Sequence, residues 1–227
     1  MLARARAGEP AGLVVTATEQ TAGRGRHGRS WASPPGNLYA SLLLRPALAM
    51  AEAGGLALVV AVALAEAVEA LTPGLPRIGL KWPNDLLLGE AKLAGILLEG
   101  EAAPGGRCGF VVVGCGVNLA HAPHDLDRAT VALADLPGVV VPAAAALLDR
   151  FLDGLGTALD EHARAGLGPA RQRWLARAHG LGRRVTVRPG AQALSGVFAG
   201  LDERGALLLR TDEGRTVTIT AGEVFLA

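Results

Sequence analysis

Cysteine is scarce in this chain: Cys108 and Cys115 are the only two in 227 residues. If both lie on one strand, their odd separation sets them on opposite faces, which excludes a bond between them and suits a reducing cytoplasm. Net charge is nearly absent too. Twenty-two basic residues against 21 acidic ones leave +1, so no whole-molecule field draws the chain to nucleic acid or to a membrane surface. The longest uninterrupted apolar run, Leu56 to Ala65, is too short to span a bilayer and is followed by Glu66 and Glu69, which argues against a transmembrane helix. Met1 to Gly8 alternates charge without an apolar centre; it lacks the pattern of a secretory signal and reads as the end of a helix. There is no lysine-bearing phosphate loop of the Walker type, no Ser/His/Asp or Cys/His set, no internal repeat and no low-complexity segment. Cys115 therefore reads as a small apolar residue in a glycine turn, with no base to activate it.

Against these absences one stretch stands out: Gln20-Thr-Ala-Gly-Arg-Gly-Arg-His-Gly-Arg-Ser-Trp31. Its glycines let backbone N–H groups approach an anion, and Arg24, Arg26 and Arg29 add forked donors suited to carboxylate or phosphate. Trp31 offers a flat face for a planar ring. An anion carrying a ring is the ligand class this loop suggests. Gly23-x-Gly25-x-x-Gly28 matches the dinucleotide fingerprint, but the prolines that follow do not open a helix, so a Rossmann site is disfavoured. A flexible arginine–glycine arm for nucleic acid is a second alternative, disfavoured by the balanced charge.

The rest of the chain reads as support. Leu13 to Ala17 predicts a buried strand delivering Glu19 and Gln20 to the loop, and Asn37 to Leu44 an antiparallel return strand. Ala51 to Leu71 predicts a helix buried on most sides, stopped by Thr72-Pro-Gly74. Arg77 to Trp82 is a strand candidate, with Pro83-Asn84-Asp85 as a turn and Leu86 to Leu88 extended. Lys92 to Glu99 and Phe110 to Val113 read as two apolar strands joined near Ala103 to Gly106. Gly114-Cys-Gly-Val-Asn118 ends the second of them with two glycines, where a ligand could come close, and with an amide. His121 to Val141 reads as loop. His121-x-x-His124-Asp125 has the residue types of a metal cluster, but Pro123 breaks a helical spacing and no further ligand is obvious. Leu148, Leu152, Leu155 and Leu159 form the apolar stripe of an amphipathic helix beginning near Pro142, and Pro169 to Ala178 a shorter helix. Beyond Gly182, five short strands separated by Asp202-Glu-Arg-Gly205 and Asp212-Glu-Gly214 turns suggest a small barrel.

Taken singly, Lys81-Trp-Pro-Asn-Asp85 is as well explained by a strand end and turn with Trp82 in the core, and Lys92 by a solvated strand end. Together with the arginine loop, Lys92-Leu-Ala-Gly-Ile-Leu-Leu-Glu99 and Gly114-Cys-Gly-Val-Asn118, in this order, they resemble the biotin–protein ligases. The resemblance covers the whole chain. It implies an α+β catalytic domain with a mixed sheet, related to class II aminoacyl-tRNA synthetases, over residues 1–180, and a small SH3-like barrel over 181–227. It implies two steps: biotin and ATP form biotinyl-5′-AMP and pyrophosphate, then a lysine of a biotin carboxyl carrier domain of a biotin-dependent carboxylase takes the biotinyl group.

By the same resemblance, Gln20, Arg24, Gly25, Arg26, Lys92, Gly114 and Gly116 contact biotin. Arg26, Arg29, Trp31, Asn84, Lys92 and Asn118 contact ATP, with Trp31 over the adenine. Lys92, Arg24, Arg26 and Asp85 carry the chemistry, Asp85 by orienting or deprotonating the acceptor lysine. Magnesium shields the phosphates, and no protein metal site is expected. The loop is expected to be mobile when empty and ordered by the adenylate. A Ser-Thr-Asn segment that family members carry upstream of the loop is missing here, so the catalytic domain is expected to be truncated at its N-terminal edge. There is no helix-turn-helix domain, so a ligase without DNA binding is expected, in the cytoplasm, with homodimerisation possible through the sheets. The rival readings are a lipoate ligase of the same superfamily and a non-enzymatic nucleic-acid-binding module.

Overall fold

A computed structural model describes residues 1–123, 128–188 and 193–226. His124 and Asp125 of the His121-x-x-His124-Asp125 motif lie outside the described residues. The chain opens with a short helix, α1 (Leu2–Arg6), followed by β1 (Val14–Thr16) and, after the arginine loop, β2 (Leu38–Leu44). A 3-10 turn (Met50–Gly55) leads into α2 (Leu56–Leu71), then β3 (Gly79–Lys81), β4 (Asp85–Leu88), β5 (Ala91–Ala102) and β6 (Cys108–Val117). Two helices, α3 (Ala144–Ala165) and α4 (Gly168–Leu175), precede β7 (Arg184–Arg188), β8 (Leu194–Leu201), β9 (Leu207–Arg210), β10 (Thr216–Ile219) and β11 (Glu223–Leu226).

The first sheet has the order β1-β2-β6-β5-β4-β3. Its strands pair antiparallel; parallel pairing enters through single bridges, Leu80 with Ala178 and Lys92 with Thr130. Alternation along the strands gives this sheet two unlike faces. Leu38, Ala40, Leu42, Val111, Val113 and Val117 pack into the main core with α2, while Leu43, Phe110 and Val112 join Ala5 of α1 on the other side. The second face is only partly covered by α1, and there the arginine loop and a cavity lie.

α2 is apolar on every side because it is buried on every side, with Leu56, Val59, Val60, Leu64 and Val68 at or near zero exposure. Together with the preceding 3-10 turn, the 22 residues Met50–Leu71 are long and apolar enough to cross a membrane by length and composition. The uninterrupted run alone did not suggest that. In the fold this segment is the central core helix, contacting α3, α4 and the sheet. Its end is fixed by Glu69, which accepts from the Ile78 amide at 2.8 Å and forms a two-armed pair with Arg177 at 2.6 and 3.0 Å.

Several expectations shift. β1 is shorter than expected and is an exposed edge strand, with Val15 facing solvent. The buried face of α3 centres on Leu147, Phe151, Leu155 and Ala158, one position before most of the residues expected there; Leu148, Leu152 and Leu159 flank it. Cys108 and Cys115 do share β6, but a register slip opposite Glu101 and Ala102 places both in the same buried cluster. Seven residues of extended chain, about 20 Å, keep the two thiols apart, and both are free.

The five C-terminal strands form a second antiparallel sheet, β10-β9-β8-β7-β11, the small five-stranded unit expected from the turn pattern and implied to be SH3-like by the resemblance. It is tied to the first sheet by the buried Trp82 indole, whose Nε1 donates to Gly205 O at 3.0 Å.

Candidate active site

Four strands place one row of residues directly side by side: Tyr39 of β2, Gly116 of β6, Gly95 of β5 and Asp85 of β4. The two central positions have no side chain, so the sheet presents a bare slot between a phenol and a carboxylate. The slot is the floor of a cavity of about 350 Å³. Trp31 rests on it. A Cβ at Gly116 would come within 2.6 Å of the indole Nε1, and one at Gly95 within 3.0 Å of the ring, so neither position admits a larger residue without moving the indole. Gly114 also lines the cavity, but a Cβ there would meet only ordinary contacts.

Lys92 reaches the cavity through a bulge. By simple alternation it would share the core-facing side of β5 with Ala94 and Ile96. The pairing runs Leu86 with Ala94, then Leu87 with Lys92, so one extra residue, Leu93, is taken up between them. That insertion reverses which side Lys92 faces. Its backbone is then fixed by bonds from Lys92 N to Ala129 O at 2.9 Å and from Val131 N to Lys92 O at 3.0 Å. Lys92 is 6% exposed, and its ammonium lies 2.5 Å from Asp85 Oδ1 and 5.2 Å from the centre of the Trp31 ring. Burial pushes Lys92 below the ordinary lysine value; Asp85 opposes this, while Arg128 and Lys81 act with it.

The arginine loop closes the cavity from above. Arg24 and Ser30 bridge, Gly25 N bonds Arg29 O at 2.7 Å, and Trp31 N bonds Gly23 O at 2.9 Å. At its tip His27 takes a positive φ of 56°, an uncommon conformation for a residue with a side chain. The three guanidiniums differ in their partners. Arg24 pairs with Glu99 at 3.0 Å, and Arg29 pairs with Glu223 of β11, which depresses the Glu223 carboxyl. Arg26 is more buried and meets only neutral oxygens, Gly222 O at 3.3 Å and Asn84 Oδ1 at 3.4 Å. Burial lowers its affinity for its proton, yet a guanidinium keeps its charge. Among the described residues it is the loop arginine without a carboxylate.

Most of the predicted residues converge. Gln20, Arg24, Gly25, Arg26, Arg29, Trp31, Asn84, Asp85, Lys92, Gly114 and Gly116 all line the cavity. Gln20 is linked to the loop through Ser33, whose Oγ lies 2.8 Å from Gln20 Oε1 and 3.1 Å from Trp31 O.

Asn118 does not join them: it is buried, and its Nδ2 donates to Val131 O at 3.2 Å, with Lys92 O at 3.4 Å. It supports the Lys92 backbone instead of facing a ligand. Asn84 lines the cavity but commits its Nδ2 to Ile96 O at 2.6 Å, leaving its oxygen to face Arg26. Asp85 is engaged by Lys92 and by Arg128 at 3.4 Å, so in this state it positions Lys92 rather than standing free as a base. Trp31, expected over one ligand, and Gly116, expected under the other, are in contact. Cys115 is buried, its thiol pushed up to about 12, which fits an inert apolar role.

Arg128, Glu99 and Glu223 were not identified as site residues. Glu99 was visible as the end of a motif. The other two carry no local signal, and Glu223 comes from the far end of the chain.

This architecture, a glycine slot with a buried ammonium under an arginine loop and a small C-terminal sheet, is that of a recognised class. The biotin/lipoate A/B protein ligase family model matches residues 5–118, and the biotin protein ligase C terminal domain model matches 180–227. The chain belongs to the biotin/lipoate A/B protein ligase family. Within it the similarity narrows. A biotin–acetyl-CoA-carboxylase ligase of Paracoccus denitrificans is 43% identical, covering 93% of this chain and 89% of that protein. The enzyme of the same name from Mycobacterium tuberculosis is 38% identical over 99% of this chain and 83% of its own length. Among solved structures, biotin protein ligase from Aquifex aeolicus in complex with biotin and ATP superimposes with a TM-score of 0.82 at 28% identity, covering 100% of this chain and 93% of that one.

Proposed function

We propose that this chain is an ATP-dependent biotin–protein ligase acting on a biotin carrier domain. The observation that carries the reading is the buried Lys92 ammonium on a glycine floor, beneath a loop whose Arg26 is charged and lacks a carboxylate partner among the described residues. The match of the C-terminal unit to a biotin protein ligase domain favours biotin over lipoate.

The first step joins two anions. The biotin carboxylate oxygen attacks the α-phosphorus of ATP, a carboxyl–phosphate bond forms, and the bond to the β-phosphate oxygen breaks, releasing pyrophosphate. Repulsion between the reactants would oppose their approach without cations at the point of contact. Lys92 and Arg26 supply that charge at the floor and roof. Each stabilises negative charge that grows on the phosphoryl oxygens as the bond breaks. Arg24 and Arg29 can join by leaving Glu99 and Glu223 for a substrate anion. Trp31, seated between the glycines and Lys92, forms a wall shared by the vitamin and nucleotide ends. Gln20, Gly25, Gly114 and Gly116 line the vitamin side, and Asn84 orients Arg26.

In the second step the neutral amine of the acceptor lysine attacks the acyl carbon, an amide forms and AMP leaves. Asp85 positions Lys92 until the nucleotide is bound; once phosphate draws Lys92 and Arg128 away, its carboxylate can take the acceptor's proton. Each carboxylate among the cavity-lining residues already faces a cation, and no cluster of three metal-ligating side chains occurs among the described residues. Magnesium enters as part of the nucleotide substrate, held by its phosphates. The reaction belongs in the reducing cytoplasm, where ATP and free thiols coexist.

The test supplies labelled biotin, ATP and magnesium, with an acceptor domain added second. A protein-retained acyl adenylate followed by acceptor labelling is expected. Failure to form either product, or a preference for lipoate, overturns the reading.

A further inference from the structure

Phe225 of β11 is the one aromatic among the four large apolar side chains left exposed among the described residues. It lies between two cations. The Arg188 guanidinium carbon is 4.9 Å from the ring centre and Lys81 Nζ is 5.7 Å from it. Neither cation has a carboxylate partner among the described residues, in contrast to Arg184 on the same strand as Arg188, which is paired with Asp212. The three residues come from both sheets: Lys81 ends the edge strand β3 of the first, and Arg188 and Phe225 belong to the edge pair β7 and β11 of the second.

This patch continues into the site. Glu223 lies two residues before Phe225, on the same side of β11 by alternation, and it lines the cavity and holds Arg29. Lys81 is the cross-strand partner of Asp85, which holds Lys92. An exposed ring flanked by two cations without carboxylate partners among the described residues, on strands that also carry Glu223 and adjoin Asp85, has the composition of an interface centre: an aromatic anchor with arginine beside it.

We propose that Phe225, Arg188 and Lys81 form the docking surface for the acceptor protein, a folded domain that presents carboxylates and an apolar residue beside its target lysine. The proposal rests on the ligase reading, because it requires a macromolecular acceptor. Two cations beside an apolar ring, next to Glu223, fit an acidic protein surface better than the continuous basic stripe that nucleic acid needs.

The two half-reactions separate docking from chemistry. Phe225→Thr and Arg188→Thr keep strand-forming residues on an exposed face and leave every cavity-lining residue in place. Biotin-dependent pyrophosphate exchange should stay at the parent rate, as should transfer from the adenylate to hydroxylamine, a small acceptor that needs no docking. Transfer to an apo carrier domain should show KM raised roughly tenfold by each change with kcat unaltered. The salt dependence of KM, measured from about 0.05 to about 0.5 M, should weaken in Arg188→Thr.

Unchanged carrier KM in both variants would overturn the proposal. So would parallel losses in exchange, in hydroxylamine transfer and in carrier transfer, which would make the patch a support of the cavity. Displacement of the carrier by an oligonucleotide with equal loss in both variants would assign the patch to nucleic acid. Absence of exchange in the parent chain would defeat the ligase reading itself, a distinct result.

Discussion

Floor and roof of the cavity hold their positive charge in opposite ways. On the floor, Lys92 is almost wholly buried, held by backbone bonds on both sides and locked to Asp85. In the roof, Arg24 and Arg29 are half-exposed and rest on Glu99 and Glu223. A buried pair is costly to break by removing one member, because the other is left uncompensated, whereas exposed pairs exchange partners at little cost. The floor thus offers a charge organised before any ligand arrives, and the roof offers charges that can be handed over when one does. Arg26 stands between them, partly buried like the floor but carried by the roof.

The contrast is sharpest at Lys92. Lys92→Ala should slow adenylate formation by at least about a thousandfold and also destabilise the fold by about 3 kcal/mol, since Asp85 loses its main partner. Pyrophosphate exchange and a denaturant midpoint measure the two effects. A loss no larger than that of Arg24→Ala would erase the distinction between floor and roof.

Arg26→Ala comes next, with an expected loss of about a hundredfold in kcat/KM for exchange and little change in stability. Gly116→Ala should raise the substrate KM roughly tenfold by lifting the indole from its seat. Combining it with Trp31→Ala should restore part of that loss; simple additivity would show that the glycine and the ring act separately.

Alkaline titration separates the two regions by sign. Because burial lowers the Lys92 value below 10.5 in the folded state, the unfolded chain binds more protons between the folded value and 10.5, and stability should rise with pH in that window. Adenylation should fall over the same window as the ammonium is lost. Lys92→Met should remove the stability rise, and an identical pH profile in the variant would contradict the assignment. The smallest effect is expected from Glu223→Gln, which frees Arg29: a change of about threefold or less in exchange.

Much of this arrangement was legible in the chain. Arg24, Arg26, Arg29 and Trp31 declared themselves because glycine spacing and charge are local properties, and the strands and the buried helix followed from periodicity. Lys92 was legible as a site residue through its motif, but the device that points it into the cavity was not: alternation sends it toward the core, and only the pairing register with β4 reveals the extra residue. Asn118 was over-read because an amide after two glycines looks available until the loop around Val131 takes it. Glu223 and Arg128 were invisible for a different reason: their partners lie on distant segments, and no pattern along the chain relates Glu223 to Arg29. The single register shift in the β5–β6 hairpin likewise defeated the parity rule applied to the two cysteines.

The single extra residue at Leu93 makes this part of the enzyme sensitive to counting. Removing Leu93 alone would close the bulge and set Lys92 beside core-facing Ala94, where plain alternation already points the ammonium into the cavity, so Asp85 would keep its partner. Removing Leu93 and Ala94 together would set Lys92 beside Gly95 and turn the ammonium inward toward the leucines. Adenylation should therefore tolerate the loss of the one residue better than the loss of the two, a constraint that no substitution scan would expose and that a deletion series would read directly.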